Sequence, residues 1–289
     1  MRWLAIANPA AGRARQSERL LARLGAVSGF RHEVARTGAP GDATQLARKA
    51  NGFDGIVAIG GDGTIGEVLH GMDLGRQRLA VLPAGHGNCL ARDLGVGNPD
   101  HALGSLQRKA CRPLDLMEVH IGFADGREER RLCASTLAVG YVADVVMLGR
   151  QRLQGLGRAA YAAAAMVTVP PRFEARLAAK GGARPYTGLV INNTAHLANF
   201  RGLPDASVHD GLLDIMEQGY GWSRQLLHNL AVLLGSRAFG PLKLRQAATE
   251  QFELAEPRTL MADGELLHEV KRVSVACRPG AVNCVVGPA

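Results

Sequence analysis

Apolar and polar residues alternate regularly over the first part of the chain. Short apolar runs predict buried strands, and the stretches between them, where apolar residues recur at helical spacing, predict helices. We expect strands at Trp3–Ala7, His32–Ala35, Gly55–Ile59 and Leu79–Leu82, and helices at Arg15–Leu24, Asp42–Ala50, Thr64–Gly71 and Pro99–Gln107. Strands that alternate with helices in this order indicate a doubly wound parallel α/β domain.

After Pro113 the pattern changes to strands with few helices. A hairpin is predicted where the turn residues 124–127 separate two alternating segments, Leu116–Phe123 and Arg131–Val139. Further strands are expected at Phe173–Ala179, Thr187–Asn192, Leu212–Glu217, Leu266–Ala276 and Ala281–Val286, and helices at Leu156–Val169 and Trp222–Ser236. We therefore predict an α/β domain at residues 1–114 and a mainly antiparallel β-sandwich at residues 115–289. The pattern leaves open whether the last strand returns to the first domain.

Composition narrows the choice of partners. The 289 residues are 47% hydrophobic but only 4% aromatic, which argues against nucleic-acid binding by base stacking. The net charge of +8 fits an anionic membrane surface, and it fits a merely soluble basic protein equally well. No apolar run reaches the ~20 residues of a membrane span, and no signal peptide is evident. The scattered cysteines predict no zinc site or disulfide framework, and they indicate a reducing, cytoplasmic setting.

A glycine-rich turn follows the third predicted strand. Gly60-Gly61-Asp62-Gly63-Thr64 comes directly after Gly55–Ile59 and leads into a helix. Glycines allow the backbone to approach a ligand closely, and the N–H groups of a helix start attract anions. A phosphate-bearing ligand would suit this turn, and a plain strand-to-helix connection is the alternative.

Two more strands end in loops of small residues. Asn8–Gly12 follows the first strand, and Pro83–Asn88 follows the fourth. In a parallel sheet these loops and the glycine turn lie at one carboxyl edge, where α/β folds bind ligands. Three such loops are a stronger signal than one.

Together these loops resemble the diacylglycerol kinase catalytic family, which includes sphingosine kinases, ceramide kinases and bacterial lipid kinases. The resemblance continues, in family order, through Arg112–Leu116, Ala138–Val145, Leu203–Asp214 and Ala262–Glu265. It implies a nucleotide domain followed by a lipid-binding β-sandwich, with the active site in the cleft between them. It also implies ATP and Mg²⁺ as cofactors and a membrane lipid as acceptor.

The resemblance also implies which residues bind the nucleotide. They are Asn8, Pro9, Ala10, Ala11, Gly12, Thr37, Gly60, Gly61, Asp62, Gly63, Thr64, Gly66, Glu67, His86 and Asn88. Two positions depart from the family pattern. His86 stands where the family usually has Thr or Ser, and Gly66 stands where it usually has Asn.

Three acids are implied as catalytic. Asp62 is expected near the transferring phosphate, Asp263 is expected to be the general base, and Glu265 competes with it for that role. Without the resemblance, Asp263 and Glu265 would be two solvated acids of an exposed turn. In bacterial members a structural magnesium lies at the positions that match Asp210 and the carbonyls of Ser207 and Leu212.

The acceptor lipid is the least determined feature. The stretch around Asp144 is similar to that of sphingosine kinases, where the matching acid binds the substrate head group, so a sphingoid lipid is slightly favoured over diacylglycerol. A strand-end aspartate that pairs with Arg150 or Arg152 is the alternative. A soluble kinase similar to NAD kinases is a weaker possibility. We expect a cytoplasmic enzyme that docks on anionic membranes and binds no nucleic acid, and the sequence allows a homodimer.

Overall fold

The chain folds into two compact units. The computed structural model describes residues 1–12, 16–85, 87–108, 110–153, 159–197, 200–201, 203, 205–219, 221–233 and 243–287. The first unit comprises Met1–Met117, Asn193–Gly211 and Arg278–Ala289, and the second comprises Glu118–Asn192 and Leu212–Cys277. Each unit is therefore built from more than one segment of the chain.

A parallel sheet forms the centre of the first unit, as the alternating pattern predicts. Its first four strands pair in the order β4-β3-β1-β2. They are β1 (Trp3–Ala7), β2 (His32–Arg36), β3 (Gly55–Gly60) and β4 (Arg78–Pro83). The strands β1 and β3 are buried along their whole length. Burial of each large aliphatic side chain there contributes about 1.5–3 kcal/mol to stability.

Five helices connect these strands and follow the last of them. The helix α2 packs on α3, where the Thr44 hydroxyl donates to the backbone oxygen of Glu67 at 2.9 Å. The helices are α1 (Gln16–Gly25), α2 (Asp42–Arg48), α3 (Asp62–Gly71), α4 (Cys89–Asp93) and α5 (Pro99–Arg108). The helix α3 begins at Asp62 rather than at Thr64, because Gly61 has an extended backbone and the chain turns into the helix directly after it.

Later segments complete the first unit around one buried carboxylate. Asp115 is 3% exposed, and it accepts hydrogen bonds from the backbone N–H groups of Gly211 and Gly280, both at 2.7 Å. Its backbone oxygen accepts a bond from the Asn193 side chain at 2.8 Å. Residues 193–211, which the sequence pattern assigned to the second domain, thus belong to the first compact unit.

The second unit is a mostly antiparallel sheet, as predicted. Its main path has the order β14-β13-β10-β7-β15-β16, with β5, β6, β8 and β9 attached to it. The strand β15 pairs with β8 at Phe252–Leu254 and with β7 at Leu260–Ala262, so it joins two groups of strands. The strands are β5 (Cys111–Phe123), β6 (Glu128–Cys133), β7 (Thr136–Gly140), β8 (Phe173–Leu177), β9 (Ala183–Tyr186), β10 (Gly188–Asn192), β13 (Leu213–Gln218), β14 (Lys243–Ala247), β15 (Thr249–Ala262) and β16 (Glu265–Val285), of which β5 begins and β16 ends in the first unit. Two short strands of the first unit, β11 (His196–Leu197) and β12 (Phe200–Arg201), pair only with each other among the described residues.

The boundaries of several predicted strands were wrong. The segment Arg131–Val139 is two strands, because the backbone at Ala134 and Ser135 leaves the ladder to bind a side chain described below. The two strands expected at Leu266–Ala276 and Ala281–Val286 are one long strand, β16. The strands β14 and β15 were not predicted at all.

Three helices of the second unit form a cluster. They are α6 (Tyr141–Gln151), α7 (Ala160–Val167) and α8 (Trp222–Leu233). Residues 156–158 and 234–236 of the two predicted helices lie outside the described residues. The Tyr141 hydroxyl donates to the backbone oxygen of Ala165 at 2.6 Å, and the Asn229 amide donates to both oxygens. Within the described residues, no helix has the length and apolar character needed to cross a membrane.

Candidate functional site

Three loops meet at the carboxyl edge of the parallel sheet, as predicted. The Asn8 amide donates to the Thr64 hydroxyl at 3.1 Å, which joins the first loop to the start of α3. The backbone N–H groups of Ala84 and Gly85 both donate to the Gly60 oxygen, at 2.8 and 3.2 Å, which joins the third loop to the second. The small residues of the three loops therefore form one continuous surface.

Glycines are required where these loops touch. Gly12 has a φ of +67°, and a Cβ atom there would lie 1.8 Å from the Ala84 oxygen. A Cβ atom on Gly85 would lie 2.5 Å from the Cα atom of Gly61. No side chain fits at either position, so the loops pack backbone against backbone and leave their outer surface to a ligand.

Asp62 stands at the start of α3 and faces the start of α4. Its two carboxylate oxygens accept hydrogen bonds from the backbone N–H groups of Cys89 and Leu90, at 3.2 and 3.3 Å. The side chain is partly exposed. The carboxylate thus holds two of the three loops together and still reaches solvent.

Of the other predicted nucleotide residues, Asn88 shapes the third loop, whereas Gly66 and Glu67 lie within α3. Asn88 adopts the left-handed conformation and exchanges two hydrogen bonds with Gly85, at 3.0 and 2.9 Å, which closes the loop around residue 86. His86 itself lies outside the described residues. Gly66 is buried in α3. The Glu67 carboxylate accepts a bond from the backbone N–H of Ala43 at 3.1 Å, so Glu67 joins α3 to α2.

Thr37 begins the loop that follows β2. Its backbone N–H donates to the Ala7 oxygen at 2.9 Å, so it lies beside the first loop. The next residues are held by Asp42, whose carboxylate accepts the N–H groups of Gly38 and Ala39, both at 2.8 Å. These two bonds keep the pKa of the Asp42 carboxyl below its ordinary value.

Asp263 is a buried carboxylate surrounded by donors. One oxygen accepts the Ser135 N–H, the Ser135 hydroxyl and the Thr136 N–H at 2.8, 2.6 and 2.9 Å, and the other accepts the Ala134 N–H at 2.7 Å. The residue is 7% exposed and has a φ of +46°. Sequence reasoning expected an exposed turn or a free base here, and neither expectation anticipated these four bonds.

Glu265 lies two residues further along the same turn in a different environment. Its carboxylate is 60% exposed and forms an ion pair with the Arg131 guanidinium at 2.5 Å. Arg131 also pairs with Glu129. Burial by itself would lower the pKa of Arg131, but the bonds to Glu265 and Glu129 together outweigh burial, so the pKa is raised. Arg131 was missed by the sequence analysis, since an Arg–Arg pair in a charged strand carries no positional signal.

One of the three predicted metal residues, Asp210, lies at an open hollow of the first unit. Asp210 is exposed and lines this hollow of about 430 Å³ together with Asp115 and Arg112. The Ser207 hydroxyl accepts the His209 N–H at 3.2 Å, and Leu212 begins the second unit. No group of three or more His, Cys, Asp or Glu suited to a metal occurs among the described residues, so a cation here would depend on carbonyls and water as well as Asp210.

Asp144 lies in the first turn of α6 in the second unit, and not at a strand end as the alternative reading supposed. Burial raises the pKa of its carboxyl, and the positive charge of Arg258 opposes that rise. The neighbouring cation is thus Arg258 of β15, which the sequence analysis did not consider.

Comparison with known proteins agrees with the geometry of the loops. The family model for the diacylglycerol kinase catalytic domain matches residues 2–119. Over 204 residues the chain is 30% identical to a diacylglycerol kinase of Bacillus subtilis (strain 168). The aligned region covers 65% of this chain and 63% of the Bacillus protein. Over 262 residues it is 30% identical to a YegS-like lipid kinase of Pseudomonas aeruginosa PAO1. The aligned region covers 84% of this chain and 80% of the Pseudomonas protein.

A solved structure has the same fold. The crystal structure of a diacylglycerol kinase from Bacillus anthracis str. Sterne matches 99% of this chain and 97% of its own, with a TM-score of 0.77 and 22% identity. Because the sequence match to the Pseudomonas protein also extends over most of both chains, this chain belongs to the diacylglycerol kinase catalytic family of lipid kinases.

Proposed function

We propose that this chain transfers the γ-phosphate of ATP to a hydroxyl group of a membrane lipid. The observation that carries the proposal is the contact of three small-residue loops at the carboxyl edge of the parallel sheet, with Asp62 at the start of α3. Phosphoryl transfer depends mainly on positioning the reacting groups and on neutralising the negative charge of the phosphates. Backbone N–H groups of such loops could position the phosphates, and the partly exposed carboxylate could hold the cation that neutralises their charge.

The nucleotide would lie against this surface. Among the described residues no side chain caps the start of α3, and the N–H groups at a helix start attract phosphate oxygens. Asp62 would repel a bare phosphate, which favours its acting through magnesium and the water around it. A bound magnesium ion would neutralise charge on the phosphates, and the exposed carboxylate of Asp210 is suited to a second, structural ion.

The proton of the lipid hydroxyl needs an acceptor. Asp263 and Glu265 were both candidates, with Asp263 preferred on sequence. The four hydrogen bonds to Asp263 instead favour a positioning role, because a carboxylate has about four acceptor sites in all. We therefore assign proton acceptance to the more exposed Glu265, with Arg131 holding its carboxylate in place.

The acceptor lipid is either a sphingoid lipid or diacylglycerol. Resemblance around Asp144 and in the loop Pro83–Asn88 favours a sphingoid lipid, whereas the Bacillus subtilis relative is named a diacylglycerol kinase. Both classes reside in membranes, so the enzyme has to work at a bilayer surface. The basic net charge of +8 supports docking on anionic lipid.

A substrate panel tests the proposal. The purified protein is incubated with radiolabelled ATP, magnesium and, separately, diacylglycerol, ceramide, sphingosine or NAD, and the products are separated by thin-layer chromatography. We expect label in at least one lipid product and none in NAD phosphate. Label only in the NAD product would overturn the proposal in favour of a soluble NAD kinase-like enzyme.

A further inference from the structure

Arg258 occupies a defined place beside the start of α6. It lies on β15 two residues before Leu260, which pairs with Val139 just ahead of the helix. Its guanidinium carbon lies 5.0 Å from the centre of the Phe173 ring. Phe173 in turn fills the space next to Gly140, where a Cβ atom would lie 2.6 Å from the ring. The guanidinium is therefore held by packing at the turn that carries Asp144.

The hydrogen bonds of this guanidinium are incomplete. One terminal nitrogen donates to the backbone oxygen of Arg172 at 3.0 Å. The Nε atom is buried. Among the described residues it has no hydrogen-bond partner, and no carboxylate lies within 4.0 Å of the guanidinium. A buried donor of a charged group without a partner is costly, and such a donor in a fixed side chain is suited to binding a ligand oxygen.

The nearby acid has complementary chemistry. Asp144 is a hydrogen-bond acceptor when ionised, whereas Arg258 has only donors. The pair has no net charge when both groups are ionised. A head group that offers one hydrogen to Asp144 and one oxygen to Arg258 would satisfy both groups, but an ammonium ion would meet the positive guanidinium as well as the carboxylate.

We propose that Arg258 is a specificity residue of the acceptor site, and that with Asp144 it selects an uncharged head group with a hydroxyl or amide hydrogen and a carbonyl oxygen. This inference rests on the proposed function and makes it more specific. Ceramide and diacylglycerol both have the required groups. Sphingosine lacks the carbonyl and carries an ammonium, so the site discriminates against it.

The kinetic test compares three acceptors in mixed micelles. We expect the wild type to phosphorylate ceramide or diacylglycerol with a kcat/KM roughly 10-fold or more above that for sphingosine. Arg258→Gln should reduce that ratio by about 10-fold, because it removes both the donor and the repulsive charge. Arg258→Lys keeps the charge but loses the Nε donor, so it should weaken the neutral acceptors while sphingosine stays poor.

A control and a binding assay separate the possible failures. Arg176→Gln changes an exposed arginine of the neighbouring strand β8 and should leave the ratio unchanged. Equal losses on all three lipids in the Arg258 variants, or a wild type that prefers sphingosine, would overturn the inference.

Binding of fluorescent short-chain ceramide and sphingosine is measured without nucleotide. If ceramide binds better than sphingosine, if this preference depends on Arg258, and if no lipid is phosphorylated, the inference is supported and the proposed function is refuted. If lipids are phosphorylated but the ratio of kcat/KM values is the same in the Arg258 variants, the proposed function is supported and the inference is refuted.

Discussion

Replacing Asp263 by asparagine separates a positioning role from a catalytic one. The asparagine oxygen can replace the carboxylate oxygen that accepts three bonds from Ser135 and Thr136. Its NH₂ group then faces the Ala134 N–H, which donates to the other oxygen at 2.7 Å in the native protein. One bond is lost, a buried N–H is left without an acceptor, and the remaining three bonds are no longer charge-assisted.

The magnitude follows from these changes. An unsatisfied buried donor costs about 1–3 kcal/mol, and a bond to a charged group contributes about 1.5–3 kcal/mol, roughly twice a neutral bond. We expect Asp263→Asn to reduce the free energy of unfolding by about 2–4 kcal/mol. For a chain of this size that corresponds to a fall in melting temperature of roughly 3–7 °C.

The assay combines thermal unfolding, followed by circular dichroism, with hydrogen exchange of residues 134–136. Exchange should accelerate there in Asp263→Asn, because the N–H groups lose their acceptor. Glu265→Gln is the matched control: its side chain is 60% exposed, so melting should change little while turnover falls. If Asp263→Asn melts within about 1 °C of the wild type yet loses turnover, Asp263 is the base and the positioning role is refuted.

Three further predictions concern the nucleotide loops and the membrane. Asp62→Asn should lower phosphoryl transfer about 10²-fold with little change in melting temperature; half-normal activity would contradict its role. Gly12→Ala should raise the KM for ATP at least ~10-fold, because the new Cβ atom would lie 1.8 Å from the Ala84 oxygen. Gly29 has a similar positive φ but open space around it, so Gly29→Ala should leave the KM for ATP unchanged. Co-sedimentation with liposomes should increase with anionic lipid and decrease with salt, since exposed charges are screened beyond ~10 Å at 0.1 M; binding insensitive to both would show that the net charge has no part in docking.

The sequence predicted the first unit well for a physical reason. Strands of a parallel sheet are buried on both faces, so β1, β3 and β4 appear as continuous apolar runs, and short loops follow them directly. The meeting of three loops then follows from topology alone.

Elements of the second unit were harder to predict because their signals conflict. The apolar run through β7 continues without a break into α6, and only Gly140, with a φ of +79°, marks the change from strand to helix. In β15 the alternation of exposed and buried residues is correct for a strand, but Pro257 argues against a ladder. Hydrogen bonds between distant positions, such as those of Asp263 to Ala134 and of Asp115 to Gly280, leave no local pattern.

The last strand has a consequence for how the protein is made. The end of β16 completes the parallel sheet by pairing Asn283 with Arg78, a separation of 205 residues. At a synthesis rate of about 5–20 residues per second, the free edge of β4 stays open on the ribosome for roughly 10–40 s. An exposed edge of apolar residues invites pairing with other chains. A nascent chain of this protein therefore exposes an edge at which aggregation can begin until the end of β16 emerges.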